Sequence, residues 1–195
     1  NPEQGYVASA NQEPLDPAED PRYLGVAWGS PWRGLRINEL LRTRPAVTVD
    51  AMRRFQTDPG SARAELFVRV FLDAAERLGR AGASDAEIRE AAALLGEWDR
   101  RYTPDNTGAV LFELAMDELT ARTWDELESP DTDRPRRIAT PAEAVLYRLT
   151  RDADSPWWDD RSTTDRVEGR DVILAESLRG ALRDARARYG EPRSD

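Results

Sequence analysis

Ala64-Glu65-Leu66-Phe67-Val68-Arg69-Val70-Phe71-Leu72-Asp73-Ala74-Ala75-Glu76-Arg77-Leu78 is the stretch on which the fold class turns. Ala64, Phe67, Val68, Phe71, Leu72, Ala75 and Leu78 recur at three-four spacing, which lays an apolar stripe along a helix. Gly79 and Gly82 stop it. Ser84-Asp85-Ala86-Glu87 then reads as a capping box, and Ile88, Ala91, Ala92, Leu95 and Trp98 form a second stripe behind it. Thr103-Pro104-Asp105-Asn106-Thr107-Gly108 is turn chemistry ahead of a helix marked by Val110, Leu111, Leu114, Ala115, Leu119 and Trp124. Thr140-Pro141-Ala142-Glu143 joins two helix-start signals before Val145, Leu146 and Leu149. A last helix is predicted over residues 170–189, with Val172, Ala175, Leu178 and Leu182 inward.

Upstream, Thr48 opens a short helix that ends near Thr57-Asp58-Pro59-Gly60. Ser30-Pro31 sets a cap residue before a proline suited to the first helical position, ahead of Leu35, Ile37, Leu40 and Leu41. Residues 1–31 read differently, because Asn1-Pro2, Glu13-Pro14, Asp16-Pro17, Asp20-Pro21 and Ser30-Pro31 break them repeatedly. Their one apolar patch, Tyr6-Val7-Ala8-Ser9-Ala10, predicts a short strand inside a long loop. Residues 128–137 are rich in Pro, Asp and Arg and read as an exposed loop; residues 152–168 are a charged, turn-rich stretch. The expected fold is mainly α: an irregular arm over residues 1–31 with one short strand, then six or seven helices over residues 32–195. No fixed-period repeat, heptad run or strand–helix alternation competes with that reading.

Composition narrows the chemistry. The chain has 195 residues, with 37 Asp and Glu against 28 Lys and Arg; every one of the 28 is Arg, and Lys, His and Cys are absent. Imidazole bases, thiolate nucleophiles, Schiff-base lysines, disulfides and zinc sites built on His or Cys are therefore excluded within it. A net charge of −9 repels phosphate backbones, so no nucleic-acid partner is expected. No apolar run nears the roughly 18 residues of a membrane helix, and the N-terminus lacks a signal-peptide pattern. With 39% apolar residues and six Trp, a packed core is within reach.

Motifs for chemistry are sparse. Neither a Walker loop nor G-x-G-x-x-G occurs. The pairs Asp131/Asp133, Asp152/Asp154 and Asp159/Asp160 lack the remaining ligands of a calcium loop and read as solvated charge. Pro156-Trp157-Trp158 reads as a plug between helices rather than a sugar or peptide platform. Arg100-Arg101 and the arginines of residues 183–188 read as helix faces paired with nearby acids. A serine nucleophile would have no base here. From the residues alone, this is an α-rich domain without a self-contained active site.

Two stretches carry a resemblance. Asn1-Pro2-Glu3-Gln4-Gly5-Tyr6-Val7-Ala8-Ser9-Ala10-Asn11-Gln12-Glu13-Pro14 continues into Trp28-Gly29-Ser30-Pro31-Trp32-Arg33-Gly34-Leu35-Arg36-Ile37-Asn38-Glu39-Leu40-Leu41. Further on come Leu94-Leu95-Gly96-Glu97-Trp98-Asp99 and Thr107-Gly108-Ala109-Val110-Leu111-Phe112, then the Pro156-Trp157-Trp158-Asp159-Asp160 loop. Together, in this order, they resemble the β-subunit of the penicillin acylase (penicillin amidase) family of N-terminal-nucleophile hydrolases.

The resemblance implies a helical part of an αββα hydrolase whose N-terminal serine attacks an amide carbonyl with its own α-amino group as base, so that no histidine is needed. Asn11 falls where the family's asparagine donates to the oxyanion; without the resemblance it would read as a loop asparagine closing an Asx turn. Arg33 falls on the family's active-site arginine, whose support is electrostatic; the alternative is a helix-start arginine paired to a carboxylate. The calcium-ligating aspartate of the family aligns on Arg22, with Asp20 two residues away, so calcium is implied for the parent protein but its ligand is not matched. The implied substrates are linear acyl amides of the penicillin, cephalosporin or N-acyl homoserine lactone type.

The implied partners are the α-subunit and the N-terminal core of the β-subunit, and a periplasmic or secreted setting is implied for the parent. Starting at Asn1, with Met52 and Met116 its only methionines, the chain is expected to be a processed or excised piece that lacks the nucleophile and is inactive alone. An exposed apolar surface, able to pair two copies, should mark such a piece. A non-catalytic helical scaffold or interaction module is the competing expectation and should lack that surface.

Overall fold

The computed structural model describes residues 2–16, 18–43, 46–127 and 138–190. Among them are seven α-helices: α1 Trp32–Arg42, α2 Val49–Gln56, α3 Ala62–Arg80, α4 Ala86–Glu97, α5 Thr107–Thr123, α6 Glu143–Leu149 and α7 Arg170–Tyr189. Asp125–Leu127 and Pro156–Trp158 add two single 3-10 turns. The loop expected over residues 128–137, with Asp131 and Asp133, lies outside the described residues. The chain divides into two compact units, Asn1–Arg63 and Ala64–Asp195.

In the first unit the arm is laid against α1. The Tyr6 hydroxyl donates to Asn38 Oδ1 at 3.0 Å, and Asn38 Nδ2 in turn donates to the Gly34 carbonyl at 2.7 Å. Thr48 caps α2 as its sequence predicts, its Oγ1 accepting from Ala51 N–H at 3.2 Å. Arg36 Nε meets Asp58 Oδ2 at 2.7 Å with both side chains largely buried, which ties α1 to the turn beyond α2. Pro31 already has helical dihedrals and its carbonyl accepts from Leu35 N–H, while no side chain caps this end, so Ser30 is not the cap its sequence suggests. The expected strand over residues 6–10 does not form. The chain there takes no regular structure, because an isolated extended segment without a neighbouring strand has no ladder to join.

The second unit is built around α5, which buries a wide face through Leu111, Phe112, Leu114, Ala115, Met116 and Leu119. It packs most extensively on α7, and α4 packs on both. Ala175, Leu178 and Leu182 of α7 are inward as predicted, Val172 is only half-buried, and Ile173, Leu174 and Ala181 join the core, while Val110 of α5 and Val145 of α6 face water. Helix α3 ends as Gly79 and Gly82 foretell. Gly82 has φ +70, Ala83 N–H reaches back to Leu78 O at 2.9 Å and Gly82 N–H to Gly79 O at 3.1 Å, a Schellman closure.

The cap of α4 is Asp85 rather than Ser84. Asp85 Oδ1 accepts from Ile88 N–H at 2.9 Å while Oδ2 accepts from Arg179 at 3.0 Å, and a serine hydroxyl has neither the second oxygen nor the charge to match. The Ile88 N–H, aided by Arg179 against some desolvation, holds the Asp85 carboxyl below its ordinary pKa.

Trp98 and Gly108 explain the Trp-Asp turn. Trp98 is buried against Phe112, ring centroids 5.4 Å apart, and its Nε1 donates to Arg101 O at 3.1 Å. A Cβ on Gly108 would lie 2.5 Å from Trp98 Cβ, which no rotamer change can move away, and 2.6 Å from Cγ. Asn106 Nδ2 completes the turn by donating to Asp99 Oδ1 at 3.0 Å. Arg100 stands in this turn at φ +60 and donates to the Trp98 and Gly96 carbonyls, so Arg100-Arg101 is not the helix face expected of it. Gly108→Ala should therefore destabilise the chain by about 1–3 kcal/mol, read as a lower urea midpoint with unchanged slope.

The Pro156-Trp157-Trp158 turn is the plug its composition suggests. Trp158 is fully buried and donates Nε1 to Asp152 O at 2.7 Å, and Trp157 meets Trp124 edge-on at 5.1 Å. Asp152 and Asp154 are solvated, but Asp160 is not: it is buried and accepts from Arg122 at 3.0 Å and from Ser162 N–H at 2.9 Å. Burial by itself would raise the Asp160 and Glu168 carboxyls. The Ser162 and Arg122 donors at Asp160, and Thr163 and Arg166 at Glu168, outweigh it and hold both below their ordinary values.

Carboxyls depressed in the folded state contribute stability that is complete above their unfolded pKa values, about 4, and lost as pH falls through the folded ones. The urea midpoint should accordingly hold from about pH 7 to about pH 5 and drop below about pH 4. Asp160→Asn should begin lower and fall less steeply over the acid range.

Candidate functional site

The two residues singled out by resemblance, Asn11 and Arg33, meet within the first unit. Asn11 sits at φ +64, in the left-handed region that costs most residues energy and that asparagine tolerates better than other side chains with a Cβ. This kink turns the chain back, and Asn11 O accepts from Gly29 N–H at 2.6 Å. The approach is close enough that a Cβ on Gly29 would lie 3.0 Å from Asn11 Cβ and 3.2 Å from Asn11 O. The glycine is there to admit the kink.

Arg33, in the first turn of α1, completes the arrangement. One Nη2 donates both to Asn11 Oδ1 at 2.7 Å and to Ala10 O at 3.1 Å. A guanidinium has donors and no acceptors, so the Asn11 amide must present its oxygen to Arg33 and aim its N–H2 elsewhere. Asn11 Nδ2 makes no hydrogen bond among the described residues, nor does Arg33 form an ion pair among them. Among the described residues Asn11 Oδ1 closes no Asx turn, and Arg33 meets no carboxylate.

Chemically, the pair is a non-titrating amide donor oriented by a fixed positive charge, a combination suited to a developing oxyanion. Arg33 also lines one wall of a cavity of about 530 Å³ bounded by Trp32, Ile37, Leu40, Met52 and Phe55, a mainly apolar space beside the donor's support. Gly29 and the residues flanking Asn11 carry no signal in sequence, since the contact joins positions separated by a loop.

Calcium does not fit the arm. Asp20 is gripped by Arg22 through Nε at 2.8 Å and Nη2 at 2.5 Å, and this pairing lowers its pKa. The guanidinium occupies the carboxylate a cation would need, and no group of three or more acidic ligands gathers among the described residues.

The sequence profile of the penicillin amidase family matches residues 1–195, and the chain belongs to that family. Among relatives, the acyl-homoserine lactone acylase QuiP of Pseudomonas putida is 28% identical over 214 residues, covering 99% of this chain and 25% of that protein. QuiP of Pseudomonas syringae pv. syringae is 30% identical over 196 residues, covering 93% of this chain and 23% of that protein. QuiP of Pseudomonas aeruginosa is 28% identical over 206 residues, covering 99% and 24%. The chain thus spans about a quarter of the length of these relatives.

Arg33→Met should free the Asn11 amide to rotate. In 15N-edited NMR spectra the Asn11 side-chain N–H2 pair should shift while those of Asn38 and Asn106 stay in place. An unmoved Asn11 pair would mean that Arg33 does not orient it.

Proposed function

We propose that this chain supplies the oxyanion donor and its electrostatic support to an amide-hydrolysing acylase, with Asn11 Nδ2 as the donor and Arg33 as the support. The observation that carries this is the orientation of Asn11: its oxygen is committed to Arg33 and its N–H2 is left without a partner. In this reading residues 1–31 are the arm that carries Asn11 and residues 32–195 the helical domain behind it. The nucleophile is an N-terminal serine outside residues 1–195, acting with its own α-amino group as base, as in other N-terminal-nucleophile hydrolases.

Two features support a larger partner surface. The relatives are about four times longer, and Val7, Tyr23 and Val26 of the arm are 83%, 81% and 83% exposed, an apolar exposure that a neighbouring body would relieve. That body is the remainder of the acylase. The substrate class we favour is the N-acyl homoserine lactones, because the relatives bear that activity in their names. The setting is periplasmic or extracellular.

Asn11→Ala in the complete enzyme should lower turnover of an N-acyl homoserine lactone by about 10²–10³, the usual cost of one oxyanion donor. Wild-type turnover in that variant would overturn the assignment. The purified 195-residue chain should hydrolyse no amide. Hydrolysis that disappears on mutating one of its own serines would show a different active site.

A further inference from the structure

Resting on the reading of Asn11 as oxyanion donor, we propose that Gln12 is a positioning residue that, together with Arg33, locks the left-handed kink. Its side chain folds back over Asn11 so that Oε1 accepts from Ala10 N–H at 2.7 Å. That bond spans the kink, from the residue before Asn11 to the residue after it. The Gln12 side chain is then seated on α1: a Cβ added to Gly34 would lie 3.1 Å from Gln12 Oε1 and 3.2 Å from Cδ, and Gly34 is buried beneath it.

The kink is thereby fixed at every polar group but those at Asn11's own nitrogens. Ala10 N–H is bound by Gln12, Ala10 O and Asn11 Oδ1 by Arg33, and Asn11 O by Gly29. Ala10, at the centre of these bonds, is 5% exposed, so loosening one of them leaves a buried amide without its acceptor. A left-handed non-glycine residue persists only where its surroundings over-determine it. Gln12 supplies the part of that constraint which Arg33 cannot reach, because Arg33 has no acceptor for an N–H. Loss of Gln12 Oε1 lets the backbone at Asn11 relax toward the common β or α regions, and Nδ2 swings away from where the oxyanion forms.

The test uses the complete processed enzyme and an N-acyl homoserine lactone, with turnover normalised to mature protein. Gln12→Met keeps the length of the side chain and removes the acceptor. It should lower kcat by about tenfold, the size of one lost hydrogen bond, with KM changed by less than about twofold. Gly34→Ala, which crowds Gln12 without altering it, should lower kcat in the same way and serves where Gln12→Met does not mature. In an Asn11→Ala background Gln12→Met should cost nothing further, because a positioning residue has no effect once the group it positions is gone.

Full kcat in Gln12→Met beside a crippled Asn11→Ala enzyme would overturn the role of Gln12 and leave that of Asn11 standing. A tenfold loss that persists undiminished in the Asn11→Ala background would also overturn it, since Gln12 would then act on the fold at large. Full activity of Asn11→Ala would instead sink the oxyanion reading itself.

Discussion

Helix α5 buries an apolar face wider than an ordinary stripe, leaving Val110, Asp117 and Ala121 exposed, and the second unit follows from that constraint. Leu111, Leu114, Ala115 and Leu119 would make an ordinary amphipathic stripe, but Phe112 and Met116 occupy the flank that should be polar, and both are buried. So wide a buried face needs more than one neighbour, and α4 and α7 cover it. Gly108 then lets Trp98 settle on the first turn of α5, and Trp124 at its far end is met by Trp157. Each fully buried aromatic or leucine contributes on the order of 1.5–3 kcal/mol. Aromatic stoppers at both ends of one helix are therefore a large share of what holds the unit together.

Charge is handled by guanidinium alone. Arg179, Arg183 and Arg186 of α7 reach Asp85, Glu87 and Glu90 at the start of α4, at 3.0, 3.0 and 2.7 Å. These side chains are substantially exposed, so each pair contributes little to stability by itself. What the row supplies is register. Planar forks engaging successive carboxylates fix how far α7 slides along α4, while the apolar contacts beneath would tolerate a slip. Arg122 differs, because it joins Glu118 on its own helix to the buried Asp160 and so anchors the Trp158 plug.

How much of this was legible in the sequence depends on the range of the interaction. Three-four spacing located α3, α4, α5 and α7, and Gly82 and Thr48 act as their types predict, because those signals are local. The failures lie where a distant partner decides. Asp85 displaces Ser84 as cap because Arg179, far along the chain, rewards a second carboxylate oxygen. Asp160 is buried because Arg122 and Ser162 compensate it, whereas Asp152 and Asp154 meet no guanidinium among the described residues and stay solvated. Val110 and Val145 sit on stripes of the right period but on faces with nothing opposite. At the site, Asn11 and Arg33 were identified through family likeness and not through spacing. Gly29 and Gly34 had no signal at all, since a glycine required by close approach looks in sequence like a glycine required by a turn.

The kink at Asn11 shows why that position is not free to vary. Glycine would adopt φ +64 without cost but would bring no amide, and nearly any other residue would bring a Cβ penalty of the order of 1–2 kcal/mol. Aspartate tolerates the conformation yet offers an acceptor where a donor is needed, and it would pair with Arg33 as an anion. Asparagine alone combines tolerance of the left-handed region, an oxygen for Arg33 and an N–H2 for a substrate oxygen. Its amide carries no titratable proton. On the proposed reading the donor itself is therefore the same across the working range. The absence of histidine, which first counts against catalysis in this chain, is compatible with a mechanism in which the nucleophile's own amine is the base.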